Sequence, residues 1–159
     1  MWMFMASSVR IRFPEIVFRA STNGYNLQNF YNSVDEFVDT YHYCVILIKT
    51  ADGDVFGAFL DVIPDSSKKE KFVGTSDCFV FSLKPTLVKY PALISEYVAL
   101  FDPEYFSIGS KGAGPALRVD DLLKMGSSYE SATFGNQSLM SKPGLNCSFE
   151  IVEMEVLIV

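Results

Sequence analysis

Apolar and polar positions are most strongly patterned over residues 44–60, where two runs rich in β-branched and aromatic residues flank Asp52-Gly53. An Asp-Gly pair between such runs predicts a β-hairpin, because a type I′ turn needs φ > 0 and glycine tolerates it. With Asp52 and Gly53 as central turn residues, Lys49 faces Phe56, Leu47 faces Ala58 and Val45 faces Leu60. The other face then pairs Thr50 with Val55, Ile48 with Gly57 and Ile46 with Phe59. Both faces are mostly apolar, so the hairpin is expected in mid-sheet, covered above and below.

The remaining chain reads as cover for these strands. Residues 15–20 predict a first strand, broken by the turn residues Ser21-Thr22-Asn23-Gly24. Asn26 is placed to cap a short helix whose Leu27, Phe30, Tyr31 and Val34 share one face at i, i+3, i+4 and i+7. Residues 64–71 form a polar loop, and residues 78–83 a strand ended by Lys84-Pro85-Thr86. Residues 97–101 and 105–108 are two short strands around the turn Asp102-Pro103-Glu104. Residues 116–119 alternate as a strand, followed by a helical turn from Asp120-Asp121 through Leu123 that Gly126 stops. Residues 149–158 are a long final strand. Many short strands, frequent turn signals and two short helices predict a mainly β fold, two antiparallel sheets packed as a sandwich. The 159 residues read as one domain, with residues 1–10 either a tail or a strand that packs.

Composition supports a real core: 49% of residues are hydrophobic and 20% charged. The net charge of −6 disfavours nucleic acid and anionic membrane surfaces as partners. No apolar window is long enough for a transmembrane helix. Three cysteines without close spacing and a single histidine, His42, make no zinc pattern, so no metal or other cofactor is expected.

Candidate chemistry is thin. The glycine-rich residues 109–114 could cradle a phosphate but lack a P-loop ending, and a tight turn is the stronger reading. Asp52 and Asp54 resemble the start of a calcium loop without the ligands that should follow. Glu153 with Glu155, or Asp120 with Asp121, could share acid–base work, although a solvated strand or helix cap accounts for them. Cys44 and Cys78 sit in apolar strands, where burial makes a thiol inert; Cys147 is the one candidate reactive thiol.

Several segments, in order along nearly the whole chain, resemble a TLDc domain, the module of oxidation-resistance and TBC-TLDc proteins. They are Val17-Phe18-Arg19-Ala20-Ser21, Gly24-Tyr25-Asn26-Leu27, Ile46-Leu47-Ile48-Lys49-Thr50, Val55-Phe56-Gly57-Ala58-Phe59 and Phe72-Val73-Gly74-Thr75 with Asp77-Cys78-Phe79-Val80-Phe81. The run from Gly109 to Gly114, Gly126-Ser127-Ser128, Thr133-Phe134-Gly135-Asn136 and Glu153-Met154-Glu155-Val156 complete the match. The Ile-Lys-Thr and Cys-Phe-Val-Phe segments lean toward the TBC-linked branch.

The resemblance implies a β-sandwich and a non-enzymatic protein-interaction module linked to oxidative-stress protection and to binding and regulation of the V-ATPase. It implies a cytoplasmic location at vesicle or endolysosomal membranes. An alternative is an accessory domain beside an upstream TBC domain of a Rab-GAP in vesicle traffic; a further one is a thiol-based antioxidant. Family members often have Gly-Thr-Gly-Glu where this chain has Gly74-Thr75-Ser76-Asp77. Ser131 stands where oxidation-resistance members carry cysteine, which excludes thiol scavenging at that position. Loops on a rigid sandwich usually carry function. The expected binding residues are therefore Gly74, Thr75 and Asp77; Gly109, Gly112 and Gly114; and Thr133, Phe134, Gly135 and Asn136. Asp77 and Asn136 are their main polar groups.

Overall fold

A computed structural model describes residues 13–159. In chain order the elements are β1 (Glu15–Arg19), α1 (Ala20–Asn23), α2 (Leu27–Asp35), β2 (Cys44–Thr50), β3 (Val55–Leu60) and a 3-10 turn (Ser66–Lys68). There follow β4 (Phe79–Lys84), β5 (Val88–Pro91), β6 (Ala99–Phe101), β7 (Tyr105–Ile108), β8 (Leu117–Asp120), β9 (Met125–Ser127) and β10 (Ser148–Ile158). Neighbours along β5-β4-β3-β2-β10-β9-β8-β7-β6 are hydrogen-bonded, and β1 also pairs with β10. Every pairing is antiparallel.

The fold is mainly β, as expected, and β10 joins its two layers. Ser148, Phe149 and Glu150 pair with β9, whereas Ile151 onward pairs with β2, and the last residues also with β1. A register shift between Ile151 and Glu153 marks the change of sheet; such a bulge bends and twists a strand. Inner-facing Ile46, Ile48 and Phe56 from one layer share a core with Phe106, Leu117 and Val119 from the other. The Phe56 ring meets Phe149 edge-on at 5.0 Å between centroids. Fully burying side chains of this kind contributes about 1.5–3 kcal/mol each.

Helix α2 follows the sequence reading. Asn26 Oδ1 accepts the N–H groups of Gln28 (2.8 Å) and Asn29 (3.3 Å), and Leu27, Phe30, Tyr31 and Val34 are buried. The Phe30 ring lies 5.7 Å from Phe18 and 5.9 Å from Phe106, so the helix packs on residues of both layers.

The hairpin exists, but its register differs by one residue. The observed pairs run from Cys44 with Leu60 to Lys49 with Val55, so Ile48 faces Phe56 and Leu47 faces Gly57. Thr50 N–H donates to Asp54 O and Gly53 N–H to Thr50 O, both at 3.0 Å, with Gly53 at φ +89°. This is a three-residue loop ending on a left-handed glycine, the next commonest hairpin connection. Hydrophobic pattern decides between the registers: the observed one pairs Phe56 with Ile48 in the core and leaves Lys49 outside, exposed. Cover on the outer face is therefore partial. Val45, Phe59, Phe79, Phe81 and Leu157 form a smaller cluster there, with Leu47 half-buried beside it.

Three other expectations change. Residues 20–23 form the single-turn helix α1 rather than a plain turn. Strand β5 was not expected; it lies at the far end of the strand order, beyond β4. Gly126 does not stop a helix: it lies in β9, where an added Cβ would sit 2.4 Å from the Phe149 ring. The strand-or-tail reading of residues 1–10 lies outside the described residues.

Candidate functional site

Two of the three expected loops are joined along a seam. Residues 109–114 follow β7 and residues 131–136 follow β9, and Gly112 bridges Ser131 in antiparallel fashion. Ala113 N–H donates to Glu130 O (2.9 Å) and Ala132 N–H to Lys111 O (3.4 Å). Side chains fasten the rest. Ser131 Oγ donates to Ser110 O (3.0 Å) and accepts Thr133 N–H (3.2 Å). Thr133 Oγ1 accepts Ser110 N–H (3.0 Å), and its proton is shared between Tyr97 O (3.0 Å) and Ser110 O (3.2 Å). Asn136, 3% exposed, donates through Nδ2 to Tyr129 O (2.9 Å) and Gln137 O (2.8 Å) and accepts Ser131 N–H (3.3 Å). Phe134 is buried beneath them, while Gly112 and Gly135 are exposed and Gly114 half-buried. A shallow cavity of about 340 Å³ opens between the two loops, lined mainly by Gly112, Ala113, Glu130, Ser131, Gly135 and Asn136.

The Gly74 to Asp77 loop is anchored differently, on Asp61. Thr75 donates to the Asp61 carboxylate through its N–H (3.1 Å) and its hydroxyl, and the Cys78 thiol donates to Oδ1 (3.0 Å). Asp77 N–H donates to Thr75 Oγ1 (3.2 Å), which leaves the exposed Asp77 carboxylate facing outward. Val98 connects this loop to the seam: its side chain packs beside Gly74 and its carbonyl accepts Gly109 N–H at 2.6 Å. Tyr97 takes the Phe72 ring edge-on at 5.4 Å and carries Lys111 Nζ 4.0 Å from its ring centroid. So the three loops meet around residues 97–99. Of the two polar groups singled out, Asp77 is presented to solvent and Asn136 is turned inward, its amide engaged by backbone.

The thiols divide by burial. Burial pushes the Cys44 thiol far up, and pushes Cys78 up to about 12, with the hydrogen bond to Asp61 adding to the effect. Cys147 is half-buried, in a left-handed backbone conformation, its sulfur 3.7 Å from Gly144 O. Among the described residues no group of His, Cys, Asp and Glu is placed to hold a metal ion. The paired carboxylates have structural partners: Glu155 Oε1 bonds Arg19 Nε at 2.7 Å, and Glu153 accepts Ser21 N–H at 3.1 Å. Asp120 Oδ1 accepts Lys124 N–H at 3.0 Å. Asp52 and Asp54 lie in the hairpin loop. Asp54 is buried and accepts the Ser141 N–H (2.8 Å) and hydroxyl (2.7 Å). Together with Lys84, Pro85 and Lys142 these residues border a groove of about 720 Å³. Neither Asp54 nor Asp61 carries a local signal of such a role, since their partners come from distant loops or beyond a polar excursion.

Tyr31, whose hydroxyl donates to Asp102 O at 2.7 Å, has its phenol pushed up chiefly by burial. No helix among the described residues is long and apolar enough to cross a membrane.

The sequence profile of the TLDc domain matches residues 1–159. The chain is 27% identical over 173 aligned residues to the GTPase-activating protein skywalker of Drosophila melanogaster, covering 98% of this chain and 28% of that protein. It is 33% identical over 115 residues to oxidation resistance protein 1 of Yarrowia lipolytica, covering 70% of this chain and 48% of that protein. With TBC1 domain family member 24 of Xenopus laevis it shares 30% identity over 116 residues, 70% of this chain and 19% of that protein. The chain thus spans less than half the length of each of these relatives. With a profile match over its whole length and relatives of both the oxidation-resistance and the TBC kind, the chain belongs to the TLDc domain family.

Proposed function

We propose that this domain is a non-enzymatic protein-interaction module that contributes to oxidative-stress protection by binding V-ATPase subunits on the cytoplasmic side of vesicle or endolysosomal membranes. The observation that carries the reading is the join of the three loops around residues 97–99. Their polar side chains are spent on holding backbone, which suits a preformed surface better than a reaction centre. Asp77 is its outward polar group, and Gly112, Gly114 and Gly135 let a partner approach the backbone closely. The raised thiols of Cys44 and Cys78 support the non-enzymatic side of the reading, since a thiol held neutral is a poor nucleophile. Passing the purified V1 sector of the pump over the immobilised chain tests it. Retention of V1, weakened at least tenfold by Asp77→Arg, is the expected result. V1 running through unretained on a folded, cooperatively melting domain overturns it.

A second reading is favoured by one comparison: 98% of this chain aligns with 28% of a relative named a GTPase-activating protein. In that reading the domain is an accessory to a TBC domain elsewhere in a longer protein. Adding this chain in trans to such a TBC domain and measuring Rab GTP hydrolysis separates the two. A thiol-based antioxidant role would fall to Cys147, and unchanged peroxide consumption in Cys147→Ser would end it.

A further inference from the structure

The outward face of the β6–β9 layer carries a row of side chains fixed by register. Leu100 lies opposite Ser107, Ser107 opposite Arg118, Arg118 opposite Ser127, and Ser127 opposite Ser148. Leu117 and Val119 on either side of Arg118 are fully buried, so Arg118 points out, and it is exposed. Its guanidinium carbon sits 4.0 Å from the Tyr105 ring centroid. That stacking holds a planar five-donor fork in place without consuming its N–H groups. Among the described residues the ion pairs join Arg19 to Glu155 and Lys68 to Asp65, so no carboxylate answers Arg118.

Two residues along β9 from Ser127, on the same face, stands Met125, about 7 Å away by strand geometry. Met125 is 45% exposed and borders a groove of about 450 Å³ with Tyr25, Lys124, Glu150 and Ile151. Val152, at the β10 bulge, is also 45% exposed, and its carbonyl accepts the Tyr25 hydroxyl at 2.7 Å. Leu27 N–H donates to Asp121 O (2.7 Å) and holds the Tyr25 loop against the β8–β9 turn. Three distant parts of the chain thus converge on one exposed apolar patch beside a stacked, unanswered arginine. Arg, Tyr and Met are residue types enriched at interfaces, and contiguous exposed apolar patches mark them.

We propose that this face docks a protein segment carrying both a carboxylate and an apolar side chain, the carboxylate on Arg118 and the apolar group in the Tyr25–Met125 groove. Asp120 and Glu150 lie on the same face, opposite Tyr105 and Met125, and Lys124 is at the groove rim. These acids oppose a dianionic phosphoryl group or an anionic bilayer more than they oppose one carboxylate. Phosphate recognition also uses clusters of arginine, and Arg118 stands alone in its row. A carboxylate takes the fork through two parallel bonds. The inference rests on reading the domain as an interaction module and adds the chemistry of a partner, on a surface separate from the three loops.

Panning a random twelve-residue peptide display library on the immobilised full chain tests it, with the Arg118→Gln chain as counter-target. The expected winners pair Asp or Glu with Leu, Met or Phe in the same peptide. Their synthetic forms should bind at least tenfold more weakly to Arg118→Gln and to Met125→Asp, both melting within a few degrees of the parent. Winners without acidic residues, winners that bind Arg118→Gln equally well, or no enrichment at all overturn the proposal. So does co-sedimentation with phosphatidylserine vesicles that Arg118→Gln abolishes, or a dimer in sedimentation equilibrium that the same substitution dissociates. Loss of V1 retention in wild type with peptide selection intact would sink the pump reading and leave this one standing.

Discussion

The β2–β3 hairpin and the seam between residues 109–114 and 131–136 sit in the same sandwich but are held in different ways. In the hairpin, Ile46, Ile48, Phe56 and Ala58 are packed in the common core, and hydrogen bonds run strand to strand. In the seam, Ser131, Thr133 and Asn136 are buried polar side chains bonded to backbone, Ser131 and Thr133 to the facing loop at Ser110 and Asn136 within its own loop. The first is non-directional and spread over many contacts. The second depends on a few directional bonds, each costly to leave unmade in a dry site. Damage to the hairpin should therefore lower global stability, whereas damage to the seam should first loosen the loops that meet around residues 97–99.

The largest effect is expected from Gly57→Ala. A Cβ there would lie 1.8 Å from Ile46 O, so the β2–β3 ladder itself must part. A loss of about 3 kcal/mol or more is expected in denaturant unfolding, and an unchanged midpoint would break the account of the hairpin. Asn136→Ala should cost about 2–3 kcal/mol, because Tyr129 O, Gln137 O and Ser131 N–H all lose a buried partner. Amide exchange at residues 129–137 should quicken ahead of the core strands; uniform quickening would erase the contrast. Gly53→Ala should cost only about 1–2 kcal/mol, since φ is +89° but nothing lies within 4 Å of the new methyl. At neutral pH the smallest effects concern the thiols. The unfolded Cys78 thiol ionises near 9 and the folded one near 12, so the unfolded state binds fewer protons in between. Its contribution is full below about pH 9 and fades as pH rises toward 12. Urea midpoints across that range should fall more steeply in wild type than in Cys78→Ser, and Ellman's reagent should find Cys147 alone on the native protein.

Much of the hairpin was legible because its pattern repeats over seventeen residues, from Cys44 to Leu60. Its register was not, because Asp52-Gly53 reads as a two-residue turn, and the core pairing of Phe56 with Ile48 follows only once a three-residue loop is allowed. Strand β5 escaped notice since Val88–Pro91 is four residues ending in proline, too short for a period to show. Gly126 reads identically as a helix stop and as a strand glycine beneath an aromatic ring; only Phe149 distinguishes them. The loops of the candidate site were found from family motifs, and they do gather around Val98. What those motifs left open is the inward turn of Asn136, an amide fully used by backbone. Arg118 and Tyr105 carry no motif. Their partnership comes from strand register, which single-sequence alternation places on a face but does not pair.

Strand β10 pairs with β9 at its start and with β2 and β1 beyond, and among the described residues it follows the other nine strands in chain order. During synthesis on the ribosome, neither layer has its shared neighbour until this last segment emerges. The nascent domain would meanwhile show unpaired edges of β1, β2 and β9 to its surroundings. A premature stop ahead of Ser148 would therefore yield two half-sheets without a hinge, a substrate for chaperones and proteases rather than a smaller version of the domain.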